Sequence, residues 1–320
     1  MVMAGLLLYA VASFLFPFSG STYDWIVVRA LQGAGAGFFF PAVTALLSEV
    51  TSYEERGHAL SVYNVGLGAG LAAGPISGGF LFDNYGIAMP FFFCAAFALL
   101  SVVFVLLFVH EPKERLKREE GGLALNSKEK KALTLSCVMI FFGIGVAGIM
   151  GALFAPFAAE TVSLSDHQLT SGIVVRAAAI IGAILSTMFV VFAVLQAGFN
   201  SLMKYVGELV LSLLGLFFCA CGLLVLFFAT VVLELFIMSF FLGAGLGAIS
   251  LGTLTLASNA VGERRGKVMG IYYTVFYAGL GGIPLLCGAL SDMFSARWLL
   301  LVYALLLLIV MLVVWRVGAE

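Results

Sequence analysis

The chain alternates long apolar runs with short polar segments, and this pattern predicts membrane-spanning helices. Ten runs are long enough, because about 20 apolar residues in a helix cross the hydrocarbon core of a bilayer. The runs are continuous, which argues against the alternating strands of a membrane β-barrel. The predicted spans lie near residues 2–19, 25–48, 58–82, 90–110, 132–157, 171–195, 207–229, 233–257, 267–290 and 297–317.

The composition agrees with this interpretation. Of the 320 residues, 62% are hydrophobic and only 10% are charged, and the mean hydropathy is +1.14. A soluble domain has about 25% charged residues, so the chain is predicted to be an integral membrane protein with the lipid bilayer around it. The net charge of −1 gives no reason to expect a nucleic-acid partner.

The basic residues indicate which side of the membrane each loop faces. If the loop after the second span is cytoplasmic, 13 of the 16 Lys and Arg residues fall on the cytoplasmic side and only Arg297 falls on the other. Cytoplasmic loops of membrane proteins are enriched in Lys and Arg. The sequence therefore predicts a multi-pass protein of the cytoplasmic (plasma) membrane, with its C-terminus in the cytoplasm.

The longest hydrophilic stretch divides the chain into two parts. It follows the fourth span and carries charges of both signs, which is typical of a solvated linker. The predicted organisation is an incomplete N-terminal bundle of four helices in residues 1–110, a cytoplasmic linker in residues 111–131 and a C-terminal bundle of six helices in residues 132–320.

The two parts repeat one sequence pattern. At an offset of 209 residues, 11 of the 30 positions from 54 to 83 match identical residues, among them Pro75 and Pro284. At an offset of 210, Gly33-Ala34-Gly35 matches Gly243-Ala244-Gly245. The second and third spans thus correspond to the eighth and ninth. The repeating unit is six helices, and both copies cross the membrane in the same sense.

Two copies of a six-helix unit make twelve helices, and this sequence accounts for ten. The two that are missing are the first two helices of the first unit. Three interpretations stay open: the sequence is a fragment, its start is wrongly assigned, or the protein is naturally short.

Two glycine-rich motifs lie in the second and third spans. They read Arg29-Ala-Leu-Gln32-Gly33-Ala-Gly35 and Gly70-Leu-Ala-Ala-Gly74-Pro75-Ile-Ser-Gly78-Gly79. In this order and spacing they resemble the fourth-helix and fifth-helix signatures of the major facilitator superfamily, and the resemblance covers essentially the whole chain. It implies an all-α membrane protein with the major facilitator fold, two pseudo-symmetric bundles with ten of twelve helices present, and the activity of a drug/proton antiporter.

The resemblance also implies roles for particular residues. In this family the helix that carries Arg29 lines the central cavity, and its arginine is implicated in proton coupling. Many proton-coupled drug exporters have an acidic residue in their first helix, which would lie outside this sequence. The family's charged loop motif is not preserved at residues 198–207, between the sixth and seventh spans.

Arg29 and Gln32 also call for explanation on physical grounds alone. A cation inside a membrane helix costs about 2.5–3.5 kcal/mol on insertion scales, and residues three apart lie on one helix face. This face is predicted to look into a wet cavity on the substrate and proton pathway. The alternative is that Arg29 extends to the outer head groups. Arg176, near the start of the sixth span, has the same two interpretations.

Polar aromatic residues complete the predicted pathway. Tyr63 and Asn64 in the third span correspond by the repeat to Tyr272 and Tyr273 in the ninth, and Tyr277 shares a helix face with Tyr273. Such side chains can hold a mostly apolar ligand by stacking and one hydrogen bond. Packing against neighbouring helices is the alternative.

A second group of residues is predicted to act in gating and packing. Glycines on one face of the third span let a neighbouring backbone approach closely, and a proline removes a backbone donor and bends the helix. The group consists of Gly66, Gly70, Gly74, Pro75, Gly78, Gly79 and Pro284.

No catalytic, metal or cofactor site is predicted. The five cysteines lie in apolar runs without the spacing of metal ligands, and the three histidines lie in loops or at span ends. No Gly-x-x-x-x-Gly-Lys-Ser/Thr loop is present to bind ATP. The chain is therefore predicted to be a secondary transporter, not an enzyme.

The predicted activity is export of small lipophilic or amphipathic compounds. A substrate would bind near the membrane midplane, and alternating access with proton coupling would move it. Two alternatives remain: an importer of a sugar or organic acid on the same fold, and a shortened chain that transports nothing.

Overall fold

The computed structural model describes residues 1–50, 56–109, 125–161, 167–168, 174–175, 177–259, 265–291 and 293–319. Nearly all of these residues are helical. The helices are α1 (Val2–Leu15), α2 (Thr22–Val50), α3 (Arg56–Tyr85), α4 (Ala88–Phe108), α5 (Ser127–Ala152), α6 (Phe154–Thr161), α7 (Ala177–Val206), α8 (Glu208–Phe228), α9 (Val232–Asn259), α10 (Arg265–Ser291) and α11 (Ala296–Ala319). A 3₁₀ turn, Phe16–Phe18, follows α1, and two short strands, β1 (His167–Gln168) and β2 (Val174–Val175), pair antiparallel.

Seven of the described helices are long and apolar enough to cross a membrane by length and composition. They lie in α4, α5 and α7 to α11. Continuous helices suit this environment, because lipid offers no hydrogen-bond partner to a backbone N–H or C=O group. The prediction of an all-α membrane protein is confirmed.

Two predicted boundaries differ from the structure. The predicted fifth span, 132–157, comprises most of α5 and part of α6, which are separated by a turn at Leu153. Residues 198–206, placed between two spans by the sequence, continue α7 as helix. The helix ends only at Gly207, whose φ of +83° is a conformation that glycine adopts at no steric cost.

The chain folds as two compact units. Unit 1 contains Met1–Gly70 and Ser77–Glu119, and unit 2 contains Leu71–Ile76 and Glu120–Glu320. In unit 1, α1 packs against α2 and α4. Unit 2 has a large apolar core to which α5 and α7 to α11 contribute buried side chains. The predicted linker lies mostly outside the described residues, and α5 begins within it at Ser127.

Each unit contains the same close contact between two helices. In unit 1, a Cβ atom added to Gly5 of α1 would stand 2.7 Å from the carbonyl oxygen of Gly35 on α2. A Cβ atom added to Gly35 would stand 2.8 Å from the carbonyl oxygen of Gly5. In unit 2, Gly215 of α8 and Gly245 of α9 approach each other with the same two distances, 2.7 and 2.8 Å. The members of one pair lie 210 residues from those of the other. This is the offset at which the glycine motifs match.

The starts of α2 and α9 are also alike. Asp24 accepts hydrogen bonds from the backbone N–H groups of Gly20 (3.2 Å) and Ser21 (2.9 Å). The Ser21 side chain, followed by the Ser21 N–H group, lowers the pKa of the Asp24 carboxyl. Glu234, 210 residues later, accepts from two preceding N–H groups at 2.6 and 3.1 Å. Such a carboxylate satisfies N–H groups that have no partner within the helix. The duplication in the sequence is therefore a duplication of structure.

Candidate functional site

Arg29 lies on α2 in unit 1, where two neutral groups orient its side chain. Its Nη1 donates a hydrogen bond to Oε1 of Gln32 at 3.0 Å. Its Cζ lies 5.1 Å from the centroid of the Phe16 ring, within the range of a cation–π interaction. Phe16 itself is buried and stacks on Phe91 at 4.1 Å. These contacts fix the guanidinium group without cancelling its charge.

Gln32 connects Arg29 to α1. Its Nε2 donates to the Ser13 hydroxyl at 2.8 Å, and that hydroxyl donates to the carbonyl of Tyr9 at 2.8 Å. Arginine can only donate hydrogen bonds, so Gln32 presents its oxygen to Arg29 and its amino group to Ser13. The charge of Arg29 therefore determines which group donates and which group accepts in each of these three hydrogen bonds. We call Arg29, Gln32 and Ser13 the polar relay.

The second half of the chain packs the equivalent helices without such a relay. The residues 210 positions after Arg29, Gln32 and Ser13 are Ser239, Leu242 and Leu223, respectively. All three of these counterparts are fully buried. The pair α8 and α9 therefore uses apolar side chains where α1 and α2 use hydrogen-bonded polar ones. A buried polar group needs a hydrogen-bond partner, and Gln32 and Ser13 provide one for each other. The two copies thus fill the same contact between helices with different chemistry.

Arg29 is exposed, whereas its counterpart is covered by another helix. The hydroxyl of Ser239 is buried and donates to the carbonyl of Ile184 on α7 at 2.9 Å. Positions 210 residues before α7 would precede residue 1 of this sequence. The face of α2 that carries Arg29 therefore corresponds to the face of α9 that α7 covers.

A short part of α3, Leu71–Ile76, belongs to unit 2 and packs there against α7. Gly182 lies against the carbonyl of Pro75, and the Ser186 hydroxyl accepts a hydrogen bond from the N–H of Ile76 at 3.0 Å. Proline disturbs the preceding turn of a helix. In a membrane, a serine from a neighbouring helix can satisfy backbone groups that such a disturbance leaves without a partner. We call these four residues, Pro75, Ile76, Gly182 and Ser186, the proline contact.

The hydroxyl of Ser186 can be tested by a matched pair of substitutions. Ser186→Ala removes the acceptor of the Ile76 N–H in a buried place, which costs about 1–3 kcal/mol when the donor is left unsatisfied. Ser186→Thr keeps the hydroxyl. We expect Ser186→Ala, and not Ser186→Thr, to lower the thermal unfolding midpoint of the purified protein. Equal midpoints for the two variants would show that the hydrogen bond contributes nothing.

The motif glycines of α3 outside the proline contact have more open surroundings. A Cβ atom on Gly66, Gly70 or Gly78 would meet no described atom within 4 Å. Gly279, the counterpart of Gly70, lies instead against the carbonyl of Phe141 on α5. The counterpart of α5 in the first half would also precede residue 1.

The remaining residues predicted to act in gating and packing lie on α3 and α10. Gly74 and Gly79 are part of α3, on either side of Pro75. Pro284 lies inside α10, where its ring carbons would stand 3.0 Å from a Cβ atom on Gly148 of α5. Both prolines therefore pack next to a glycine of another helix.

The three tyrosines of α10 lie in two different environments. Tyr272 is 2% exposed, and its hydroxyl lies 2.9 Å from that of Thr253. Thr253 already donates to a backbone carbonyl of its own helix at 2.7 Å, so Tyr272 is the donor. Tyr273 and Tyr277 are exposed and pack edge-on against Phe276. Tyr272 thus contributes to the core of unit 2, whereas Tyr273 and Tyr277 do not, and a ligand contact of these two stays a prediction.

Replacing each tyrosine with phenylalanine separates the two environments. Tyr272→Phe removes one buried hydrogen bond, which contributes about 1 kcal/mol, and we expect a lower unfolding midpoint with little change in transport. Tyr277→Phe should leave the midpoint unchanged and raise the substrate concentration at half-maximal transport. The reverse pattern would assign the ligand contact to Tyr272.

Three predicted pathway residues have less structural description. Tyr63 lies half-buried in α3. Asn64 follows it in the same helix, but its side chain lies outside the described part. Arg176 lies outside the described residues altogether. Within the described ranges, no group of three or more His, Cys, Asp or Glu side chains could hold a metal ion.

Sequence reasoning missed Ser13, Phe16 and Ser186. Comparing the two copies at the offset of 210 would have pointed to Ser13, because a serine in one copy stands opposite a leucine in the other. No feature of the sequence singles out Ser186, whose partner is a backbone N–H group 110 residues away.

Comparison with known proteins gives the family. The sequence profile of the Major Facilitator Superfamily matches residues 1–190 and also residues 176–320. The chain belongs to the Major Facilitator Superfamily. It is therefore a multi-pass integral membrane transporter, and the resemblance drawn from the motifs of α2 and α3 is confirmed.

Relatives of this superfamily transporter include proteins named for drug resistance. Multidrug resistance protein 2 of Bacillus subtilis (strain 168) is 31% identical over 304 residues, which are 92% of this chain and 72% of that protein. Quinolone resistance protein NorA of Staphylococcus aureus (strain MSSA476) is 25% identical over 292 residues, which are 90% of this chain and 72% of that protein.

Solved structures of low sequence identity share the fold. A POT family transporter in complex with a thioalcohol-conjugated peptide superposes with a TM-score of 0.83 at 9% identity, over 99% of this chain and 81% of the other. An inward-facing, occupied bacterial homolog of the human lysosomal transporter Spinster superposes with a TM-score of 0.76 at 13% identity, over 99% of this chain and 82% of the other. These likenesses confirm the major facilitator fold.

Proposed function

We propose that this transporter exports small lipophilic or amphipathic compounds in exchange for protons, in the cytoplasmic membrane and with its C-terminus in the cytoplasm. The drug-resistance names of its relatives support this substrate class. The excess of Lys and Arg in every second loop supports the orientation.

The polar relay is the observation that carries the proposal. Arginine keeps its proton throughout the physiological pH range, so Arg29 would not itself carry the transported proton. Its fixed charge would favour the ionised form of any carboxylate that comes within reach during the cycle. Gln32 and Ser13 would hold the guanidinium group where that encounter occurs. The relay would thereby make one step of transport depend on pH.

The proline contact supports alternating access. A transport cycle needs conformations that open in turn to the two sides of the membrane, with the substrate favouring each in turn. A helix interrupted by Pro75 can bend, and one hydrogen bond from Ile76 to Ser186 is weak enough to break and reform. We propose that this bond is made in one of these conformations and broken in the other.

Proteoliposomes that contain the full-length protein provide the functional test. A proton gradient should drive a permanently charged lipophilic dye into the acidic compartment, and protein-free liposomes should show no such movement. A permanent charge on the dye prevents passive trapping by protonation. If the gradient instead moved a sugar or an organic acid and left the dye in place, the importer alternative would replace the proposal.

A further inference from the structure

A cavity of about 310 Å³ lies in unit 2, and its lining includes none of the residues of the proline contact. It is bounded by the far ends of α5, α8 and α10 and by the starts of α6 and α11. Leu153, at the turn that separates α5 from α6, is part of the lining.

The walls of the cavity are apolar except at one end. Met150, Phe154, Phe157 and Leu226 contribute apolar surface, and all four are buried. Protein interiors are close-packed, and voids larger than a water molecule are few. Water fills a cavity only where several polar groups can bind it, and the side chains of these four residues offer none. An apolar occupant therefore fits this part of the cavity.

The polar end lies on α10 and at the start of α11. Cys287 and Ser291 are four residues apart and so share one face of α10, and Ser295, just before α11, is also part of the lining. The Ser291 hydroxyl donates its proton to the carbonyl of Gly288 at 2.6 Å. Its oxygen is left as an acceptor, so a ligand bound beside it would supply a hydrogen-bond donor.

We propose that this cavity binds a small aromatic compound that carries one hydroxyl or N–H group. Its volume is close to the lower end of the range for small-molecule pockets, about 300–1,000 Å³, which suits one or two fused rings. Phe154 and Phe157 would pack against the rings, the thioether of Met150 would adapt to their outline, and Ser291 would accept the donor. The proposal concerns binding alone and does not depend on the proposed direction or coupling of transport.

Alkylation of native cysteines by N-ethylmaleimide tests the proposal in the purified full-length protein in detergent, with 1-naphthol as the probe. Mass spectrometry gives the alkylation rate at each cysteine separately. We expect 1-naphthol to slow the reaction at Cys287 at least fivefold in a saturable manner. Cys94, which is exposed on α4 in unit 1, serves as the internal control and should react at an unchanged rate.

Two substitutions at the exposed Ser291 test the polar end. Ser291→Val should raise the half-saturating concentration of 1-naphthol about tenfold, the effect of losing one hydrogen bond, whereas Ser291→Thr should change it less than twofold. The comparison of Cys287 with Cys94 in the unmodified protein remains decisive if either variant folds poorly.

Three results would overturn the proposal. The first is that 1-naphthol fails to protect Cys287 up to its solubility limit. The second is equal slowing at Cys94, which means that the probe merely partitions into the micelle. The third is that Cys287 is already protected in phosphatidylcholine nanodiscs and 1-naphthol changes nothing there, which assigns the cavity to a lipid chain.

Discussion

Replacing Gly245 with alanine is expected to separate α8 from α9 and to reduce sharply the amount of folded protein. A Cβ atom at this position would stand 2.6 Å from the Sγ atom of Cys219 and 2.8 Å from both the backbone nitrogen of Cys219 and the carbonyl oxygen of Gly215. Two of these three atoms are backbone, so the helices themselves must move. Overpacking of this kind costs about 1–3 kcal/mol. The thermal unfolding midpoint should fall by several degrees.

The repeat supplies both a second test and a control for this prediction. Gly35→Ala should destabilise the pair α1 and α2 to a similar extent, because its Cβ atom would stand 2.8 Å from the carbonyl oxygen of Gly5. Gly37 belongs to the same motif, but a Cβ atom there would meet no described atom within 4 Å. Gly37→Ala should therefore leave the midpoint unchanged. If Gly37→Ala were as damaging as the other two, the paired glycine contacts would not explain the motif.

Replacing Gln32 with leucine is expected to abolish proton-driven transport while the protein stays folded. The change removes the acceptor that orients Arg29. Because Arg29 is exposed, water can take the place of the lost acceptor, and little stability is lost. Leucine is tolerated at this place in the fold, since Leu242 occupies it in the second copy and is fully buried. We expect at least a tenfold lower rate of dye transport and an unfolding midpoint within about two degrees of the original.

The opposite exchange in the second copy is the matched control. Leu242→Gln places an amide among apolar neighbours, where an unpaired polar group costs about 1–3 kcal/mol by mutational measure. It should lower the unfolding midpoint without the selective loss of transport expected for Gln32→Leu. Two variants with the same chemical difference would thus give opposite patterns. Identical patterns would mean that the two sites serve the same purpose.

Much of the fold could be predicted from the sequence because membrane spans are long and apolar. The offset of 209 to 210 residues also related the halves correctly, since glycine and proline mark where backbones approach and helices bend. The helical extension of α7 to Val206 was missed because its last residues are polar enough to read as a loop. Periodicity alone gave no sign that the helix stops at Gly207 rather than near Gly198.

The details of the site depend on distances that a sequence does not contain. Gly35 and Gly37 read alike in the motif, yet only Gly35 lies against another backbone. Tyr272 and Tyr273 are neighbours in the chain, but one points into the core of unit 2 and the other away from it. Arg29 and Gln32 could be paired by their spacing, whereas the hydrogen bond from Gln32 to Ser13, 19 residues earlier, is seen only in the packing of α1 on α2.

The most direct test replaces the polar residues between α1 and α2 with the apolar residues that stand at the corresponding positions of α8 and α9. The full-length protein with Ser13→Leu and Gln32→Leu together is purified, and unfolding and proton-driven dye transport are measured on the same preparation. If the relay serves transport and not packing, the unfolding midpoint will stay within a few degrees while transport is lost. Transport that continues with unchanged dependence on the proton gradient would contradict the account.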